Sequence, residues 1–132
     1  MKYALFDMPL ESLHSLAFRA ATASRCAGEQ GKYWEMRARL FANPQTLEQV
    51  AAHAAAVGAD LPRFQTCMAA NRFADQIRGD MTQAQAAGVA GTPTFMLATT
   101  DAQGRLKVER VIRGAQPLAK FQSEIDALLA RQ

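Results

Sequence analysis

The sequence predicts an α/β fold in which helices outnumber strands. One short apolar segment near the N-terminus and two more near the C-terminus have the composition of strands, and the long stretch between them has helical periodicity. The 27 alanines also favour helix. With 132 residues, 49% of them apolar and 20% charged, the chain is expected to fold as a single globular domain rather than to stay disordered.

The first element is predicted to be a short buried strand at residues 3–6, where four apolar residues run together. Pro9 ends this strand because proline cannot donate the next ladder hydrogen bond. A helix is expected over residues 11–28, since Leu13, Leu16 and Ala17 begin an apolar stripe with three- and four-residue steps.

Four further helices are expected before residue 88. The second is a short helix that Asn43-Pro44 stops, and its aromatic residues are expected in the core: Tyr33, Trp34 and Phe41. For the third, Thr46 and Gln49 have the spacing of a capping box, which predicts a helix from there to Gly58.

Asp60 is predicted to cap the fourth helix, which starts at Leu61 and is broken at Asn71. The fifth is expected from an apolar stripe that repeats every four residues and ends near Gly88: Phe73, Ile77, Met81 and Ala84.

After Gly88 the pattern changes to strands. Segments 94–99 and 106–112 are rich in β-branched and aromatic residues, and a polar turn separates them, so we expect a β-hairpin. A last helix is predicted to begin near Pro117. A helical crossover can place the hairpin beside the first strand, which gives a sheet of about three strands.

Charge and spacing argue against several other classes of function. Basic residues cluster only at Arg105, Lys107, Arg110 and Arg113, with Glu109 among them, so we expect a solvated strand face and no nucleic-acid partner. No apolar run approaches the roughly 20 residues of a membrane span. The cysteines and histidines lack the spacing of metal ligands, so neither a metal nor a cofactor is expected: Cys26, Cys67, His14 and His53.

Three segments, in order, resemble the DsbA-like branch of the thioredoxin superfamily. Residues 26–36 (CAGEQGKYWEM) resemble part of its helical insertion, and residues 88–95 (GVAGTPTF) resemble the entry to its penultimate strand. Residues 114–117 (GAQP) resemble the start of its last helix. The resemblance implies one thioredoxin-like domain over residues 1–132 with a helical insertion over 11–88, N-terminally incomplete and with a truncated sheet.

The sequence departs from this family in one specific motif. Its members normally carry a C-x-x-C pair at a helix start, where the helix dipole lowers the pKa of the reactive thiol. This sequence contains no such pair, so we expect no catalytic residue in the chain, which is either a fragment or a truncated product. The expected function is part of a protein thiol-disulfide oxidoreductase; the alternative is a non-catalytic peptide- or protein-binding module. Whether the chain is itself an enzyme stays open.

The resemblance also implies roles for four residues. Pro93 takes the position of the family's cis-proline, and Thr92 before it would pair through its backbone with an extended substrate chain. Cys26 and Cys67 are expected to form a structural disulfide, with a redox pair and two free thiols as the alternatives.

The remaining expectations concern partners and compartment. Substrate polypeptides or a redox partner protein would bind the chain. The family implies a periplasmic or extracytoplasmic location, although no secretion signal is recognised. An exposed sheet edge would favour a homodimer.

Overall fold

The computed structural model describes residues 1–131, which form six α-helices, a short 3-10 helix (Pro44–Thr46) and two strands. The helices are α1 (Ala17–Gly28), α2 (Tyr33–Ala42), α3 (Val50–Ala56), α4 (Leu61–Ala69), α5 (Ala74–Ala86) and α6 (Leu118–Leu129). The strands are β1 (Thr94–Thr100) and β2 (Leu106–Arg113). The chain divides into two compact units, one over Met1–Ala86 and one that begins at Ala87. The single domain expected over residues 1–132 stays a prediction.

The first unit is helical and has one buried core. Residues of α1 to α4 supply it, and they are almost inaccessible to solvent because the helices pack around them. The buried members are Ala23, Cys26, Ala27, Met36, Leu40, Val50, Ala54, Phe64 and Cys67.

Helix α4 begins where the sequence predicts. The Asp60 carboxylate accepts a hydrogen bond of 2.9 Å from the Arg63 backbone N–H, which satisfies one of the orphan donors of the first turn. Asn71 follows the helix with a positive φ of 47°, a conformation that asparagine tolerates better than most residues.

The predicted first strand at residues 3–6 is wrong. No strand forms there, and the described sheet has two strands rather than about three. Tyr3 and Phe6 are exposed, so the segment is not buried, and no neighbouring strand within residues 1–131 supplies a ladder. The helix expected from residue 11 starts only at Ala17, after turns in which the Leu10 carbonyl accepts from Leu13 and His14.

Two other local predictions fail. The Thr46–Gln49 capping box does not form: Thr46 ends a short 3-10 turn, its hydroxyl donates to the Asn43 carbonyl, and α3 begins at Val50.

Trp34 and Phe41 are not in the core, since 52% and 72% of their surfaces are exposed. Trp34 packs at the surface against the rings of Tyr3 and Tyr33, and the Arg37 guanidinium lies 4.6 Å from the Phe41 ring centre, whereas Met36 and Leu40 face the core.

The second unit is an antiparallel hairpin packed with α6. The hairpin confirms the sequence prediction, with Phe95 opposite Ile112 and Thr94 opposite Arg113. The rings of Phe95 and Phe121 meet edge to face at 4.8 Å, which joins one face of the sheet to the helix. An irregularity in the register after Leu97 leaves Glu109 as an extra residue in β2.

Candidate functional site

Thr92 and Pro93 lie at the entrance to β1. Both residues are exposed, and the peptide bond between them is cis. The loop is held at two points: the Gly114 N–H donates to the Pro93 carbonyl at 2.8 Å, and the Thr94 hydroxyl donates to the Gly91 carbonyl at 2.7 Å. These bonds flank Thr92 and fix the course of the backbone on either side of it.

The backbone of Thr92 is itself unengaged. Among residues 1–131, neither its N–H nor its carbonyl makes a backbone hydrogen bond. Strand β1 pairs with β2 along one edge, and its other edge has no strand beside it in the described part of the chain. An unpaired donor and acceptor in an exposed residue, next to a strand edge without a neighbouring strand, can accept an extended polypeptide as an added strand.

Cys26 and Cys67 are joined by a disulfide that connects α1 to α4. The S–S distance is 1.99 Å, the Cα atoms are 5.8 Å apart, and neither residue is exposed to solvent. Thiol-disulfide exchange requires a thiolate to reach a sulfur atom, and the surrounding core closes that approach. These two cysteines are the only ones in the sequence, so this bond leaves no thiol for nucleophilic chemistry.

The sequence did not indicate a buried ionic cluster formed by Asp7, Arg25 and Asp80. Arg25 Nε donates to Asp7 at 2.7 Å, Arg25 Nη2 donates to Asp80 at 2.9 Å, and the Asp7 N–H donates to Asp80 at 3.0 Å. The guanidinium also lies 5.6 Å from the Tyr33 ring centre. The cluster therefore ties the N-terminal segment to α1 and α5.

The electrostatics of this cluster follow from its burial. Burial raises the pKa of Asp7 above its ordinary value, the hydrogen bond and charge of Arg25 oppose that rise, and the charge of Asp80 adds to it. Burial lowers the pKa of Arg25, but the hydrogen bond and charge of Asp7, together with the charges of Tyr33 and Asp80, outweigh it, so the pKa is raised. Burial, followed by the Asp7 charge, raises the pKa of Tyr33.

A second polar cluster that the sequence did not indicate surrounds His53, which is buried. Arg39 Nε donates to His53 Nδ1 at 3.2 Å, and His53 Nε2 lies 3.0 Å from the Thr46 carbonyl. Because an arginine Nε–H can only donate, Nδ1 is the unprotonated nitrogen and Nε2 carries the proton. The hydrogen bond from His53 Nε2 to the Thr46 carbonyl holds the 3-10 turn against α3, which explains why Thr46 does not cap the helix.

Neither polar cluster has the composition of a metal site. Within residues 1–131, no group of three or more histidine, cysteine, aspartate or glutamate side chains is placed to hold a metal ion. No helix in the same range is long and apolar enough to cross a membrane.

A two-stranded hairpin that follows a cis-proline and packs against a closing helix, with a helical unit before it, is consistent with a thioredoxin-like fold. The sequence family described as Thioredoxin matches residues 2–114, and the chain belongs to this family. The fold is thus thioredoxin-like, with mixed helices and a two-stranded antiparallel sheet.

The curated relatives that the chain matches are named as Na(+)/H(+) antiporters, not as thioredoxins. The chain is 35% identical over 99 residues to Na(+)/H(+) antiporter NhaA 3 of Salinispora tropica, covering 74% of this chain and 15% of that protein. It is 33% identical over 111 residues to Na(+)/H(+) antiporter NhaA 1 of Salinispora arenicola, covering 83% of this chain and 17% of the relative. The chain thus spans less than a fifth of these relatives. No solved structure matches it significantly.

Proposed function

We propose that this chain is the polypeptide-binding part of a DsbA-like thiol-disulfide oxidoreductase whose reactive C-x-x-C pair is absent from this sequence. The observation that carries the proposal is the exposed, unengaged backbone of Thr92 beside the open edge of β1. Membership of the thioredoxin family supports it, and so does the resemblance of residues 88–95 to the DsbA-like strand entry.

In this proposal the residues around Thr92 bind and do not react. An extended substrate segment would take the Thr92 N–H and carbonyl as its first partners and continue antiparallel along β1. Cys26 and Cys67 have a structural role, because their bond joins two core helices and is closed to solvent. Within the core, the disulfide cross-links two segments that are 41 residues apart in sequence.

The binding step can be tested with a fluorescently labelled, reduced and carboxymethylated polypeptide, using anisotropy to measure its affinity. Thr92→Pro removes the N–H that would donate to the substrate, and we expect the polypeptide affinity to fall about tenfold, the equivalent of one lost hydrogen bond. A matched control is Ala102→Pro. Ala102 is the second residue of the hairpin turn closed by the Gly104 N–H and the Asp101 carbonyl, a position where proline is well tolerated. Equal binding by both variants and the wild type would refute the role of Thr92.

The missing reactive pair can be tested separately. With dithiothreitol as reductant, the chain alone should not accelerate insulin reduction above background, since the sulfur atoms of its two cysteines are bonded to each other and buried. An acceleration would show that Cys26 or Cys67 is reactive.

A second candidate is a non-catalytic thioredoxin-like module that binds peptides by the same edge. It is favoured by the cysteine count, since the only two cysteines are bonded to each other. The reading frame upstream of Met1 separates the two candidates: an in-frame C-x-x-C decides for the oxidoreductase, and its absence decides for the module. The antiporter activity named for the relatives is not proposed for this chain, because the match covers at most 17% of them.

We also propose an extracytoplasmic location. Disulfides persist in oxidising compartments and are rare in reducing ones, so a buried structural disulfide fits such a location. Quenching intact cells with acid and alkylating the protein under denaturing conditions tests this: both cysteines should remain unlabelled, and labelling would place the protein in a reducing compartment.

A further inference from the structure

The buried histidine of the first unit, His53, is engaged at both ring nitrogens. Nδ1 accepts from Arg39 Nε at 3.2 Å, and Nε2 lies 3.0 Å from the Thr46 carbonyl and 3.1 Å from the Thr46 hydroxyl. That hydroxyl donates to the Asn43 carbonyl, so it too can accept from the ring. The ring therefore makes these bonds only as the neutral imidazole with its proton on Nε2.

A second proton on His53 has no acceptor in this arrangement. It would be placed on Nδ1, toward which the Arg39 Nε–H already points, so that two donors and two positive charges would meet. Only 5% of the His53 surface is exposed, so water has little access to replace the arginine. Burying an unpaired N–H or an unpaired charge is unfavourable. Protonation is therefore incompatible with the observed packing of the ring.

The charged groups on the elements around His53 are mainly basic. Helices α1, α2 and α4 pack against α3. Their charged residues are Arg19, Arg25, Arg37, Arg39, Arg63 and a single carboxylate, Glu35, which is exposed. The 3-10 helix has no titratable side chain, and His53 is the only titratable residue of α3.

The carboxylates of the connecting segments are bonded elsewhere or exposed. Glu29 accepts from Arg72, Asp60 caps α4, and Glu48 is exposed. Over residues 1–131, the hydrogen bonds of the His53 ring go to Arg39 and Thr46 and to no carboxylate. A protonated ring would thus have no counter-charge in contact with it.

We propose that His53 is a pH-sensitive switch for the segment that connects α2 to α3. The neutral ring holds the 3-10 helix against α3, and protonation releases it. Leu47, which directly follows the 3-10 helix and packs against the core, would then lose that packing. The switch lies in the first unit and Thr92 lies in the second, so this inference does not depend on the function proposed above.

The direction of the pH effect follows from proton linkage. The bound segment requires a neutral ring, whereas the released segment leaves the ring free to take up a proton. The bound form is therefore favoured above about pH 6.5, where an unconstrained histidine is half protonated, and it loses stability as the pH falls. If the bound form excludes the proton completely, the equilibrium constant for binding the segment falls about thirtyfold between pH 7.5 and pH 5.

Amide hydrogen exchange, measured by NMR at pH 7.5 and pH 5, tests the switch. The reporters are the N–H groups of Thr46 and Gln49, which donate to the carbonyls of Asn43 and Thr46. Exchange rates are divided into those of an unstructured peptide at the same pH, which removes the intrinsic effect of pH. In the wild type we expect the protection of both reporters to fall several-fold, up to about thirtyfold. The Phe64 N–H, which donates to Asp60 in α4, should keep its protection.

Three variants assign the effect. His53→Gln keeps an N–H for the Thr46 carbonyl but cannot be protonated, so its reporters should be equally protected at both pH values. The sequence has one other histidine, His14, which is exposed, and His14→Gln is the matched control that should behave as the wild type. Arg39→Gln removes the opposing charge, and its amide can turn its oxygen toward a protonated ring, so its loss of protection should be smaller. This variant also tests the switch if His53→Gln does not fold.

Three results would overturn the proposal. The first is a wild type whose reporters are equally protected at both pH values. The second is the same loss of protection in His53→Gln as in the wild type, because another group would then be responsible. The third is an unchanged pH dependence in Arg39→Gln, which would show that the arginine does not oppose protonation of the ring.

Discussion

Arg25 holds Asp7 through a hydrogen bond of 2.7 Å from Nε to Oδ2, and this contact connects the N-terminal segment to helix α1. The same guanidinium also donates to Asp80 of α5, so one cation pairs with two buried carboxylates. A segment without helix or strand structure is thereby fixed to the helical unit.

Arg25→Gln should be strongly destabilising. It leaves Asp7 and Asp80 buried without their cation, and breaking a buried ion pair from one side costs about 3 to 5 kcal/mol. Urea denaturation measures the change in the free energy of unfolding. The control is Arg72→Gln, because Arg72 pairs with Glu29 in an exposed position and should contribute less than about 1 kcal/mol. Similar losses of unfolding free energy for both variants would show that the buried cluster contributes no more to stability than an exposed ion pair.

Asp7→Asn should have a much smaller effect at neutral pH, within about 1 kcal/mol. Burial makes the ionised carboxylate costly, and the asparagine oxygen can still accept from Arg25. The pKa of Asp7 is raised in the folded state, so the folded protein binds this proton more tightly than the unfolded chain. The wild type should therefore lose stability relative to Asp7→Asn as the pH rises from about 4 through the raised pKa. Unfolding of the two proteins at a series of pH values measures the difference, and an opposite slope would contradict it.

Replacing both Cys26 and Cys67 by alanine should lower the free energy of unfolding by about 4 kcal/mol. The disulfide closes a loop with a sequence separation of 41 residues, and the chain-entropy model gives this magnitude. Thiol titration of the native, unreduced protein should find no free thiol. Two free thiols would rule out the bond and remove the basis for the expected loss.

Thr94→Val should weaken polypeptide binding several-fold. The variant loses the 2.7 Å bond to the Gly91 carbonyl that fixes the loop before Thr92, a bond worth about 1 kcal/mol. Thr94→Ser keeps the hydroxyl and should restore the affinity, which a purely steric role of Thr94 would not explain. The labelled polypeptide used for Thr92 measures both variants, and a failure of serine to restore binding would count against a positioning role.

The parts of the fold that the sequence predicted are those with local signals. The cap at Asp60, the stop at Asn71 and the hairpin at residues 94–112 depend on side chains within a few residues of one another. The failed predictions involve partners further away. Thr46 has the spacing of a cap, but its neighbour His53 bonds Arg39 and holds the turn instead.

In the candidate site, too, some features could be inferred from the sequence and others required the structure. The importance of Thr92 and Pro93 was inferred from a resemblance, and their exposure and the bonds that flank them required the structure. The Asp7, Arg25 and Asp80 cluster had no sequence signal, because three charged residues scattered over 73 positions of the chain look like surface residues.

By itself, the sequence determined the helical periodicity, the hairpin, the family resemblance and the lack of a C-x-x-C pair, because these depend on composition and short spacings. Only the tertiary structure decided that residues 3–6 form no strand, that Trp34 is exposed and that Arg25 joins two carboxylates. Each of these depends on what lies alongside in space, and the contacts of Asp7 join residues 18 and 73 positions apart. A strand requires a neighbouring ladder and a buried charge requires a counter-charge, and no local pattern specifies which distant segment supplies them.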